Sequence, residues 1–196
     1  MSGRQTARTS TIQLPDGCML EVSTDGTTGA AFQEIGLMAG GVSVTLNWTQ
    51  VQIDAGNYKE LKKYITNPNV QMSPSALMDW DPAVILALFP GFMKSTAATT
   101  PAVGTDLEYK GTSEQVELTN SVVRITHYKV VVDGTETDAD IDWQFTVHNA
   151  TVDAGATLNF KGANEVDTLD DITVSFTGTP DRANDNALFK LFKVTA

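Results

Sequence analysis

The chain has 196 residues, 41% of them hydrophobic and 19% charged, with a formal net charge of -11. That apolar share excludes a disordered chain, and the acidic balance disfavours binding to DNA or to an anionic membrane surface, since both repel it. No apolar run approaches the ~20 residues needed to cross a bilayer, so no membrane binding is expected, and the length suits one β-rich domain with an ample core.

Residues 1–12 hold Arg4, Arg8 and small polar groups but no acid, the composition of a mobile N-terminal arm that needs a neighbour to order it. No apolar core follows the two arginines, so no secretion signal is recognisable and residence in a cytoplasm is expected. Residues 13–196 read as a single β-rich domain. A hairpin is predicted across Cys18 to Val22, turning at Asp25-Gly26 and followed by Phe32 to Gly36. A strand then runs from Val42 to Ile53. Val42, Val44, Leu46 and Trp48 share a face before the phase shifts to Val51 and Ile53, which predicts a β-bulge near Thr49 to Gln50.

From Asp54 to Asn69 the pattern changes and the basic cluster Lys59, Lys62 and Lys63 appears. Tyr58, Leu61 and Ile65 stand at helical spacing, but Gly56 and Pro68 leave room for little more than two turns. A long loop between strands is expected, of the kind that often binds. A helix is predicted next: Asp81 is a good N-cap, Pro82 suits the first helical position, and Pro90-Gly91 ends it. It is apolar all round and must be buried on nearly every side. Residues 94–106, small and polar, read as a flexible connection.

The second half alternates plainly. Ile141, Trp143, Phe145 and Val147 face away from Asp142, Gln144, Thr146 and His148, and Ile172, Val174 and Phe176 face away from Thr173, Ser175 and Thr177. In the last run both faces are apolar, with Phe189 and Leu191 on one side and Leu188, Phe192 and Val194 on the other, so that strand is expected to be covered on both faces. The fold class is therefore mainly β, a sandwich or barrel with one short flanking α-helix.

No reactive constellation sits on this frame. Cys18 is alone, and His127 and His148 lie in predicted strands without metal-ligand spacing. Asp138, Asp140 and Asp142 resemble the start of a calcium loop, but Trp143 and Asn149 stand where an EF-hand needs Gly and Glu. Alternation instead places the three carboxylates on one wet side of an extended segment. The Asn47-Trp48-Thr49 and Asn149-Ala150-Thr151 triplets read as ordinary strand residues. No phosphate-cradling loop, nucleophile elbow or paired acids occur, so no enzyme, cofactor or metal is expected. Twelve acidic residues against Lys161 and Arg182 fall between Asp133 and Asp185, which places nearly all the net charge there.

Taken in order, Phe32 with Glu34, Ile35 and Gly36, then "VQMSPSALMDWDPAVILALFPG", "WQFTVHNATV" and "LDDITVSFTGTPDRANDNALFKL", resemble the major tail tube proteins of bacteriophages and prophages. The resemblance runs from about Phe32 to Val194. It implies a β-sandwich subunit with one flanking helix, six copies closing into a ring by sharing sheets edge to edge, and rings stacked into a virion tail assembled in the host cytoplasm. DNA passes through the inner barrel without specific binding, and tape-measure, tail terminator and distal tail proteins are the further partners. The loop between the first long strands reaches the adjacent ring in that family; its counterpart makes Tyr58, Lys59, Lys62, Lys63 and Tyr64 inter-ring contact residues. An acidic lumen repels phosphate, and Asp138, Asp140 and Asp142 are the expected lumen-facing acids. Two other readings fit the composition: a capsid decoration or tail completion protein, and a carbohydrate-binding β-sandwich with Trp48, Trp80 and Trp143 as its platform.

Overall fold

A computed structural model describes residues 2–14, 17–23, 32–38, 40–55, 58–77, 92–97, 104–109, 120–129, 136–153, 157–159 and 171–194. They are mainly β, with a curled antiparallel sheet that forms a half-barrel. The strands are β1 (Ser2–Leu14), β2 (Met19–Ser23), β3 (Gln33–Met38), β4 (Val42–Ala55), β5 (Tyr58–Met72), β6 (Ser75–Leu77), β7 (Phe92–Ala97) and β8 (Gly104–Tyr109). After them come β9 (Ser121–Tyr128), β10 (Ile141–Val152), β11 (Thr157–Asn159), β12 (Asp171–Thr173), β13 (Phe176–Gly178) and β14 (Phe189–Lys193). The main sheet is ordered β1-β4-β5-β13-β10-β9-β2-β3-β6-β12-β11, with β14 also on β10, while β7 and β8 pair separately.

The core lies on one face of this sheet. Leu20 and Val22 of β2, Val123 and Ile125 of β9, Phe145 and Val147 of β10 and Phe176 of β13 are all essentially inaccessible. These core residues alternate along their strands, and in β2 and β9 the intervening Glu21, Ser23, Val122 and Thr126 are buried as well, so the middle of the sheet is covered on both faces. The predicted inward set Ile141, Phe145, Val147, Ile172, Val174 and Phe176 is buried, with Trp143 packed against the same cluster. Gly178 belongs to this core for lack of room: an added Cβ would meet Val147 Cγ1 and come within 2.7 Å of Val70 Cγ1. Around Gly36, with φ 150°, the ladder of β3 on β2 shifts between Leu20 and Glu21, the bulge geometry that glycine accommodates.

Several expectations are corrected. Residues 2–12, read as a mobile arm, belong to β1, which runs on to Leu14, and its neighbour is within the chain: it pairs with β4 from Ser2↔Asp54 to Leu14↔Val42 without a break. That unbroken register also removes the expected bulge from β4. The extra residue lies in β5 instead, where Asn67 has φ 49° beside Pro68 and the ladder shifts between Asn47 and Thr49. Residues 54–69, expected as a loop, are largely strand, the ends of β4 and β5 in one long hairpin. The 94–106 connection falls largely on β7 and β8, paired from Phe92↔Tyr109 to Ala97↔Gly104. The predicted helix at residues 82–89 lies outside the described residues.

Candidate assembly surface

Strands β1, β4 and β5 make a three-stranded arm. At ~3.3 Å per residue, a strand the length of β5, 15 residues, reaches on the order of 50 Å. Only residues 70–72 of β5 pair with β13, so residues 58–69 have no described strand on that side. One face of the arm is held by uncharged groups: Thr9 Oγ1 donates to Asn47 Oδ1 at 3.0 Å. Asn47 Nδ2 in turn donates to Asn69 Oδ1 at 3.2 Å and to Gln71 Oε1 at 3.1 Å.

The five expected contact residues fall on this arm. Tyr58 and Lys59 lie near its tip, with Tyr58 opposite Ala55; their side chains are outside the described set. Lys62, Lys63 and Tyr64 are exposed, opposite Ile53, Gln52 and Val51. Because they are consecutive on a strand, Lys63 faces one way and Lys62 and Tyr64 the other. Sequence reasoning missed their neighbour Ile65, 66% exposed beside Tyr64 at 46%.

The final strand differs from expectation. β14 is described as pairing with β10 alone, from Phe189↔Val147 to Lys193↔Trp143. Phe189 stacks on Phe145 at 5.3 Å, but Leu191 is 60% and Phe192 45% exposed. Apolar groups on both faces had predicted burial. Among the described residues no second strand flanks β14, and these two side chains stand exposed.

The acidic trio does not share one side of an extended segment. Asp138–Asp140 forms a 3-10 turn, which rotates Asp138 and Asp140 out of the strand pattern. The Asp140 carboxylate accepts from the Thr137 backbone N–H at 3.0 Å and from Thr137 Oγ1 at 2.8 Å. Those bonds hold its carboxyl below the ordinary value of 3.8. Asp138 is exposed. Asp142 sits where the ladder of β10 on β9 shifts, with Oδ2 3.3 Å from His127 Nδ1 but outside hydrogen-bond geometry.

Behind the core, Glu21 is 5% exposed and is gripped by Arg124, whose Nε donates at 2.7 Å and Nη2 at 2.5 Å. Thr126 Oγ1 adds a bond at 2.7 Å, and the Arg124 guanidinium lies 3.7 Å from the centre of the Phe32 ring. This is a buried structural clamp joining β2 to β9. Trp143 stacks on His127 at 5.4 Å and packs against the core, and Trp48 is half-buried on β4 opposite Arg8. Trp80 lies outside the described residues. No three His, Cys, Asp or Glu side chains converge as a metal site among the described residues. No family model matches the chain, and no curated protein matches its sequence.

Proposed function

We propose that this chain is a structural subunit that polymerises with itself as stacked hexameric rings, forming the tail tube of a bacteriophage or prophage. The carrying observation is that large apolar groups stand exposed on strand edges that no other strand covers among the described residues, at Tyr64 and Ile65 of β5 and at Leu191 and Phe192 of β14. Exposed apolar edges are an aggregation hazard in a monomer, and closure against further copies removes it. The half-barrel curl of the sheet suits such closure. In this reading the β1-β4-β5 arm takes the inter-ring role given to a loop by the resemblance, with Lys59, Lys62 and Lys63 meeting acids of the next ring. Asp138 and its neighbours line a channel that repels DNA phosphate, and tape-measure, terminator and distal tail proteins complete the assembly.

Negative-stain electron microscopy of the purified protein, across concentration and salt, tests this. Rings or hollow tubes with six-fold end views are expected. Fixed trimers would favour a decoration protein, and a monomer that persists at high concentration would sink the tube reading.

A further inference from the structure

Where β1, β4, β5, β13 and β10 lie side by side, the face of the sheet away from the core is made of uncharged hydrogen-bonding side chains. Register sets Thr11, Thr45, Gln71, Thr177 and Thr151 in one row across the five strands. Thr9, Asn47 and Asn69 begin a second row, and past the end of β13 Asn149 Nδ2 donates to Thr179 Oγ1 at 2.6 Å. On the other side of the first row, Ser73 Oγ lies 2.8 Å from Ser175 Oγ. Alternation turns all of these away from Val44, Val70, Phe176 and Ala150, which are buried. In a chain that is 19% charged, neither row holds a charged residue.

Two exposed aromatic rings stand on the same face. Tyr64 pairs with Val51, on the side of β4 that carries Asn47, and Phe192 pairs with Gln144, which points away from its core neighbour Phe145. The rings are also level. Gly178 pairs with both Val70 and Ala150, and counting back six residues from each crosses one bulge and reaches Tyr64 on β5 and Gln144 on β10. Trp48 and Trp143, by contrast, fall on the core side of β4 and β10. Lys62 and Lys190 flank the two rings, and Asp153, bonded by Thr177 Oγ1 at 2.8 Å, lies at the far end of the face.

We propose that this face binds an uncharged polysaccharide. Charge selects the class of partner: a surface left to water gains solubility from charged groups, and one built for nucleic acid or an acidic protein carries a field of cations, whereas these rows offer amides and hydroxyls. Many of those groups are already held by cross-strand bonds, as Asn47 is to Thr9, Asn69 and Gln71, so little side-chain freedom is lost on binding. A sugar is complementary to both parts of the face. Its apolar C–H faces stack on Tyr64 and Phe192, and its hydroxyls, which donate and accept, meet the Asn, Gln and Thr rows. Asn69 lies on the order of 13 Å along β5 from Tyr64, so the ligand is a chain of sugars and not a single one. Copies of the protein added at strand edges leave this face open, and the binding goes beyond the tube reading.

Native electrophoresis of the full chain through gels containing galactomannan, hydroxyethylcellulose or dextran, against a plain gel, tests this. Retardation is expected in at least one of the three, unchanged by added salt because no ion pair carries it. Y64A/F192A should lose the retardation. T45V/Q71A, on strands paired along both sides at these positions, should weaken it while sedimenting like the wild type. All four side chains lie on the face away from the core, so both variants are expected to keep their fold, checked by circular dichroism. No retardation in any of the three gels overturns the proposal, as does retardation that Y64A/F192A leaves intact. Binding of a single-stranded oligothymidylate that salt abolishes, with no polysaccharide bound, would give the rings and lysines to a nucleic acid and overturn it too. A wild type that is retarded but never forms tubes overturns the tube alone, and tubes without retardation overturn the polysaccharide alone.

Discussion

Arg124 holds a buried carboxylate, Glu21, and the balance around it is unforgiving. Removing the guanidinium leaves Glu21 with Thr126 as its described hydrogen-bond partner, and an unpaired buried charge costs on the order of 3–5 kcal/mol. Arg124→Met should lower the unfolding free energy in urea by about that amount, and a loss below ~1 kcal/mol would mean the charge finds water. Asp140 acts through pH. Its carboxyl is lowered on folding by the two Thr137 bonds, so its contribution is present above the ordinary value of 3.8 and fades as pH falls through the lower folded value. Asp140→Asn should therefore melt earlier than the parent at neutral pH, with the gap closing in acid. Phe32 shows how little of this was legible: it stood out in sequence beside Glu34 and Gly36, yet its place over Arg124 depends on β2 and β9 meeting about a hundred residues apart.

Strand alternation was readable wherever one face is buried, as in β10 and β13, because the period of two is imposed by the core itself. It failed for the arm. β1 has few apolar residues and a composition suited to a disordered tail, and its order comes from pairing with β4 along its whole length. The 58–72 stretch carries helical spacing and a proline, both overridden by pairing with β4. Removing residues 2–14 should expose the edge of β4 and produce aggregation on warming, seen by light scattering at temperatures where the full chain stays clear. Gly178 is a second element-scale test. Gly178→Ala drives a methyl into Val147 and Val70, two stiff side chains that cannot swing aside, and should cost about 1–3 kcal/mol in chemical denaturation.

On the scale of the whole molecule, basic and acidic regions are separated along the chain: Lys59, Lys62 and Lys63 on the arm, and twelve acids between Asp133 and Asp185. If copies meet through these regions, assembly weakens as salt rises. K59E/K62E/K63E should then fail to polymerise at physiological salt; polymerisation at wild-type concentrations would remove the arm lysines from the contact. The acidity was plain in sequence. The exposure of Leu191 and Phe192 was not, because apolar groups on both faces of a strand look alike whether the cover comes from the same chain or from another. The order of pairing also bears on synthesis. β2 finds β9, and β6 finds β12, only across about a hundred residues. While the ribosome is still making the second half, the first half can form the β1-β4-β5 ribbon and the β2-β3 hairpin but has no core to lay them on, so the nascent chain depends on being shielded until nearly its last strand has emerged.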